Sequence, residues 1–401
     1  MKKLPVDGRL YPFALAALMS LGPFGIDMYL PSLPAMAVDF NSDAAGLQIS
    51  LSLFMVCFGA GQIVTGPLAD RYGRKIVAMG GLVLFCATSF LVAQATSLET
   101  LYIARMLQGL AASCGPIASR AFVRDNFDGS RAAAMFGYLG AIMAIVPMLA
   151  PILGGLMQEW WGWQATFWFM GGAALLIAMV YLLFVEESLT AENMQPIRPL
   201  VVLRNFGELL TNRYFLNNVL VVSLMFGGLM AFINGSSFVM QDVYGLSPFV
   251  YSLVFGLNVV GFMTGTIMTS RLSTSWGSER LVRIGMTSLF ISAFVQMIPV
   301  LLDMQSVPTL VVAQFFGSAG FGLCNAQFSA RILQPFPRMA GTAAALSGTL
   351  QLGVAGAISA IPGFLFDGTG HPFAYVVAGS SIAGVLIWYF TLRGRAAPDV
   401  G

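Results

Sequence analysis

The strongest constraint on this chain is a succession of apolar runs, each about as long as a bilayer is thick. Hydropathy places them at 10–35, 45–67, 76–95, 98–119, 132–156 and 164–185, then at 213–238, 248–270, 281–301, 306–331, 341–365 and 371–392. About 20 helical residues span a hydrocarbon core of roughly 30 Å. Backbone groups in lipid must be paired within the segment, so each run is expected to be a helix. Of the 401 residues, 57% are hydrophobic and only 9% charged, too few polar groups to cover a water-exposed surface. The chain therefore reads as an all-α membrane protein with twelve transmembrane helices. A net charge of +2 gives no reason to expect a nucleic-acid partner. The N-terminus has a basic start without a small-residue cleavage site, so the first run is expected to be retained.

The cations set the orientation. With the N-terminus in the cytoplasm and the runs alternating, Lys2, Lys3, Arg9, Arg71, Arg74, Lys75, Arg120, Arg124 and Arg131 all fall inside. So do Arg198, Arg204, Arg213, Arg271, Arg280, Arg283, Arg331, Arg338, Arg393 and Arg395. The outer loops hold only acids: Asp39, Asp43, Glu99, Glu159, Asp242, Asp303 and Asp367. A missing or extra helix would scramble this pattern, which also puts both termini on the cytoplasmic side. Of 20 Lys and Arg, only Arg105 is left over, inside the fourth run.

The longest polar gap, 186–212, contains Glu186, Glu187, Glu192 and Glu208 and reads as a cytoplasmic linker. It divides the chain into an N-terminal six-helix bundle (1–185) and a C-terminal one (213–401). The halves are faint repeats, as expected of pseudo-symmetric bundles. Gly66-Pro-Leu-Ala-Asp70-Arg71-Tyr-Gly73-Arg74-Lys75 lies between runs 2 and 3 as a short polar hinge, and Ser270 to Gly277 recurs between runs 8 and 9. Gly277 falls where Gly73 does, while Thr274 stands in place of Asp70. Ala313-Gln314 echoes Ala104-Arg105. The second half keeps the scaffold and loses charges.

Two ionisable residues sit inside the runs. A charge at mid-bilayer costs about 2.5–3.5 kcal/mol on insertion scales and persists with a partner or a use. Asp27 is roughly 25 Å along its outward run and Arg105 roughly 10 Å along its inward run, at 1.5 Å per residue. Both therefore fall in the outer half, where they can pair directly or through water. Three readings stand side by side: a static ion pair between runs 1 and 4, a peripheral Asp27 at a helix end near Pro31, or a proton site. Tyr29, Gln108 and Tyr138 in the first half are candidate cavity residues, with Asn234, Asn258, Asn325 and Gln327 in the second; interhelical hydrogen bonds are the alternative for these amides. Pro147, Pro151, Gly154 and Gly155 in run 5 read as kinks and close-packing positions. Trp160-Trp161-Gly162-Trp163 reads as an aromatic belt at the membrane interface. The four cysteines share no metal-type spacing, and His371, the only histidine, sits in a polar turn. Neither a metal site nor a cofactor is expected.

These motifs together resemble the drug:proton antiporters of the major facilitator superfamily, and among them the bicyclomycin/chloramphenicol resistance (Bcr/CflA) group. The resemblance rests on Asp27-Met-Tyr29-Leu-Pro31, the hinge Gly66 to Lys75, Arg105 with Gln108-Gly109, and Val123-Arg124-Asp125. It rests also on Trp163-Gln-Ala-Thr-Phe167 and on Phe336-Pro-Arg-Met-Ala-Gly-Thr-Ala343. It implies the major facilitator fold, alternating access by two rocking halves, and a cavity lined by spans 1, 4, 7 and 10. It further implies Asp27 as the proton-coupling or substrate-contacting acid, Arg105 as its partner, and Asp70 with Arg74 as a cytoplasmic latch in the outward-facing state. The antiporter pattern Gly-Pro-x-x-Gly-Gly appears here as Ala150-Pro151-Ile-Leu-Gly154-Gly155, with one glycine replaced.

The expected function is proton-driven efflux of small amphipathic compounds across a bacterial inner membrane by a monomer. The rival is a proton-coupled transporter of one metabolite, such as a nucleoside or an amino-acid derivative. An enzyme would need an intramembrane nucleophile with a base, and a sensor would need a soluble output domain; neither is visible.

Overall fold

The computed structural model describes residues 10–190, 192, 194 and 199–394. Lys2, Lys3, Arg9, Arg198, Arg395 and both termini lie outside the described residues, as does the side chain of Arg338. All regular elements among the described residues are helical. They form two compact units, Met1–Phe40 with Leu53–Arg198, and Asn41–Ser52 with Pro199–Gly401.

The first unit contains α1 (Tyr11–Met19), α2 (Leu21–Asp27), α3 (Leu33–Asp39), most of α4 (Ala44–Tyr72), α5 (Arg74–Ala93), α6 (Leu98–Ala112), α7 (Cys114–Asn126), α8 (Gly129–Trp161) and α9 (Trp163–Phe184). The second contains the first turns of α4, then α10 (Pro199–Thr211), α11 (Arg213–Phe238), α12 (Pro248–Trp276), α13 (Ser278–Leu301), α14 (Val307–Leu333), α15 (Ala340–Phe364) and α16 (His371–Thr391). The polar gap 186–212 thus includes a helix. α10 starts on Pro199, whose missing N–H costs nothing at a first helical position, and it buries Leu209 against its neighbours.

Among the described residues ten helices are long and apolar enough to cross a membrane, or eleven if Tyr11–Met19 and Leu21–Asp39 count as one span bent by 43°. The two runs that do not appear as single helices are 10–35 and 98–119, and proline accounts for both. Pro23 has no N–H for the carbonyl of Met19, so the chain bends between α1 and α2. Pro31 and Pro34 then impose a 3-10 turn at Leu30–Ser32 before α3. In the fourth run Pro116 cannot bond the carbonyl of Ala112, and α6 and α7 part at Ser113.

In the first unit α5 packs against α6 and α9, and α8 lies against α2 and the 3-10 turn. Close approach is bought with small residues. A Cβ on Gly154 would overlap the carbonyl oxygen of Met28, and one on Gly109 the carbonyl of Phe54. Because the obstacle at Gly154 is backbone, no rotamer change relieves it. Gly154→Ala is expected to destabilise by about 1–3 kcal/mol, the usual range for overpacking. A thermal melt of the purified protein would show this, and an unchanged midpoint would disprove the contact.

The turn Trp160 to Trp163 departs from a simple aromatic belt. Trp160 and Trp161 are exposed, but Trp163 is buried and donates its indole N–H to Asp39 Oδ2 at 2.7 Å. A buried indole needs an acceptor, and the acid after span 1 supplies it. In the second unit, His371 Nε2 stands 3.8 Å from Asp303 Oδ1. The nearby Asp367 carboxyl is held below its ordinary pKa because the Thr369 hydroxyl donates to it. The second unit's core joins Phe215, Val222 and Met225 of α11 with Phe321 and Phe328 of α14 and Trp388 of α16.

Candidate functional site

Arg105 is the largest fully buried side chain among the described residues. It lies on the face of α6 that also buries Leu101, Ala104, Gln108 and Gly109. The helix is started by Ser97, whose hydroxyl accepts from the N–H of Thr100. Gly109 lets the Phe54 backbone approach α6, and the guanidinium is enclosed by rings: its carbon is 4.4 Å from the Phe54 centroid, 4.6 Å from Tyr29 and 6.0 Å from Phe167. Such contacts hold a desolvated cation by the ring quadrupole. Nη2 donates to the Gly25 carbonyl at 2.7 Å and Nη1 to Gln108 Oε1. Gln108 Nε2 donates onward to Ser89 Oγ at 2.7 Å, and Ser89 to the Phe85 carbonyl at 2.7 Å. Arg105 Nε is buried with no acceptor.

Asp27 is the last residue of α2 and only 6% exposed. Among the described residues it forms neither an ion pair nor a side-chain hydrogen bond. Of the two expected ways to meet Arg105, directly or through water, the direct pair is not made; the guanidinium takes the backbone carbonyl two residues earlier, at Gly25. The reason is local. The end of α2 leaves carbonyls without helical partners, and an arginine fork reaches one of them. Asp27 is also not peripheral, since the chain continues through the 3-10 turn into α3 and the carboxylate stays buried.

The hinge is tighter than a loop. α4 continues through Tyr72, and Gly73 alone separates it from α5. Gly73 has φ 114°, a conformation L side chains rarely adopt, whereas Gly66 meets nothing that would require glycine. Arg74 is buried and held by three acceptors: Asp70 Oδ1 at 3.0 Å, Asp125 Oδ2 at 2.8 Å and the Ala69 carbonyl at 2.6 Å. Arg124 joins Asp70 at 3.6 Å from an exposed position. Arg71 is exposed. Gly73→Ala would strain the backbone and push a Cβ into the Glu187 carboxylate. It is expected to cost about 2 kcal/mol or more, read as a lowered melting midpoint; Gly66→Ala in the same assay serves as the silent comparison.

The remaining candidates are spread over both units. Tyr29 is buried beside Arg105, and Tyr138 on α8 is largely exposed. In the second unit Asn234 donates to the Gln48 carbonyl at 3.2 Å and the Ser359 carbonyl at 3.0 Å. Asn258 Oδ1 accepts from Ser318, which accepts from Gln314, each at 3.4 Å. Gln327 is buried on α14. Pro151, Gly154 and Gly155 are buried on α8. Gly277, with φ 75°, repeats the Gly73 junction between α12 and α13. Near it Glu279 and Arg331 pair at 2.6 Å, a bridge the loss of charge at Thr274 did not suggest. Reading the sequence also missed Ser89, Ser318, Gln48 and Glu187. Only Glu187 had a signal, as an acid at the end of span 6; buried serines and glutamines look like ordinary membrane-helix residues until their partners are placed.

Long apolar helices broken at prolines, with a buried cation, a buried acid and a charged one-residue hinge, are those of a multi-pass membrane protein, and the family it matches makes it a transporter of small molecules and not an enzyme. The chain belongs to the Major Facilitator Superfamily, whose model matches residues 15–360. It is 32% identical to the multidrug resistance protein MdtL of Escherichia coli over 391 residues, 94% of this chain and 95% of that protein. It is 31% identical to the uncharacterized MFS-type transporter YdgK of Bacillus subtilis, with 96% of each chain covered. It is 28% identical to a bicyclomycin resistance protein homolog of Haemophilus influenzae, with 95% and 96% covered. In fold it is similar to a crystal structure of the nucleoside transporter NupG, with a TM-score of 0.73 at 14% identity, covering 94% of this chain and 98% of that one.

Proposed function

We propose that this protein is a drug:proton antiporter that exports small amphipathic compounds, such as phenicols or bicyclomycin, across a bacterial inner membrane. The reading comprises twelve spans in two six-helix bundles, 1–185 and 213–401, joined at 186–212, with both termini cytoplasmic. It works as a monomer by alternating access and is driven by the proton gradient without a cofactor. The observation that carries it is Asp27: a buried carboxylate with no partner among the described residues, two residues from the carbonyl that Arg105 grips. An unpaired carboxylate held out of water is costly and marks a functional position in a membrane helix. Relatives named for multidrug and bicyclomycin resistance support the substrate class.

In this mechanism a proton arriving from outside binds the Asp27 carboxylate and displaces the bound compound. The inward-facing form then releases that proton and reloads. Arg105, pinned by Gly25 and Gln108, supplies a fixed positive charge to the site. Tyr29, Gln108 and Tyr138, with Asn234, Asn258 and Gln327, supply contacts to substrate. Pro151, Gly154 and Gly155 in span 5, with the hinge, serve the conformational change.

The test is proton release from purified, detergent-solubilised protein on addition of chloramphenicol. Native protein should release protons and Asp27→Asn should not. Release from both moves the coupling acid elsewhere. Release from neither, with release on adding a nucleoside, replaces the drug reading by the metabolite one.

A further inference from the structure

Val185 leaves α9 in an extended conformation. Two residues later the Glu187 carboxylate lies on the first turn of α5. Oε1 accepts from the N–H of Arg74 at 2.8 Å and of Leu189 at 3.0 Å, and Oε2 from the N–H of Lys75 at 2.9 Å. The next residue, Ser188, donates to Asp125 Oδ2 at 2.9 Å, the same oxygen that takes Arg74 Nε. Lys75 Nζ closes the arrangement by donating to the Leu182 carbonyl at 3.1 Å, at the end of α9.

We propose that Glu187 is a positioning residue of the hinge latch: by fixing the backbone of Arg74 and Lys75 it aims the Arg74 guanidinium between Asp70 and Asp125. The first turn of a helix has unpaired N–H groups and favours an anion. Here the N-cap, Gly73, has no side chain to satisfy them, so the acid comes from another element. Gly73 is needed twice, for its positive φ and because a Cβ would occupy the place of the Glu187 carboxylate. A simple cap would end there. Glu187 and Ser188 go further and join α5, α7 and α9, so the latch is set by the segment that leaves span 6. The role of the latch in transport rests on the proposed function; the positioning itself does not.

The test uses hydrogen–deuterium exchange on the purified full-length protein, read at peptides covering 73–77 and 119–127. Glu187→Gln keeps the size but turns one accepting oxygen into a donor facing an N–H. Exchange at 73–77 should rise at least tenfold, and exchange at 119–127 severalfold as Asp125 loses its ordered partners. Glu187→Asp should restore part of the protection at both, and Glu208→Gln, on α10, should change neither. Opening at 73–77 alone would reduce Glu187 to a helix cap, and no change at either would remove its role; both overturn the proposal. In everted vesicles with chloramphenicol, Glu187→Gln should lower kcat about tenfold with KM within twofold. If native protein does not carry chloramphenicol, the substrate reading fails while the exchange result still decides the role of Glu187.

Discussion

Asp27→Asn is expected to abolish uphill export, by at least a hundredfold in initial rate, while leaving the protein folded. Asn has nearly the same shape but cannot take up and release a proton. Asp27 makes no side-chain hydrogen bond or ion pair among the described residues, so its replacement removes no contact that stabilises the fold. Neutralising an unpartnered buried acid should if anything relieve a desolvation cost. The measurement is chloramphenicol accumulation in everted vesicles with an acid interior, alongside downhill exchange without a gradient. Loss of accumulation with retained exchange would identify the coupling acid. Normal accumulation by the variant would end the case for Asp27.

Arg105 should show the opposite balance, with a large structural cost as well as a functional one. Arg105→Ala removes charge-assisted hydrogen bonds to the Gly25 carbonyl and Gln108, which are worth about 1.5–3 kcal/mol each. It also empties the space between Tyr29 and Phe54 and leaves Gln108 Oε1 without its donor. A destabilisation of about 3–5 kcal/mol is expected. Arg105→Lys separates charge from geometry. An ammonium keeps the charge but offers no planar fork and stacks poorly between two rings. It should lower turnover at least tenfold with a smaller loss of stability. Equal transport by Lys would mean that charge alone is needed there. A melting curve of Arg105→Ala unchanged from native would contradict the buried network itself.

Much of this could be read before any coordinates. Apolar runs of membrane-spanning length specify helices because lipid offers no partner for backbone groups. The resemblance to the antiporters implied the latch of Asp70 with Arg74, and a tight junction between two helices needs glycine, as at Gly73. The positive φ of Gly73 follows from that local rule, whereas the Asp70–Arg74 bridge spans the junction of α4 and α5.

What could not be read depended on groups distant in sequence. Whether Arg105 would meet a carboxylate or a carbonyl turned on where α2 ends, and Pro23 and Pro31 set that end only together with the packing of α8 through Gly154. Trp163 became a buried donor because Asp39 is folded back beside it, not because of its neighbours in the turn. Glu187 was a linker acid until the fold brought it onto α5, 112 residues away from Lys75. Sequence alone determined the helices, the family and which residues carry charge, because periodicity, hydropathy and glycine conformation act within a few residues. Tertiary structure alone decided which of those charges meet, because a hydrogen bond depends on ångströms between elements that hydropathy places only to within a turn.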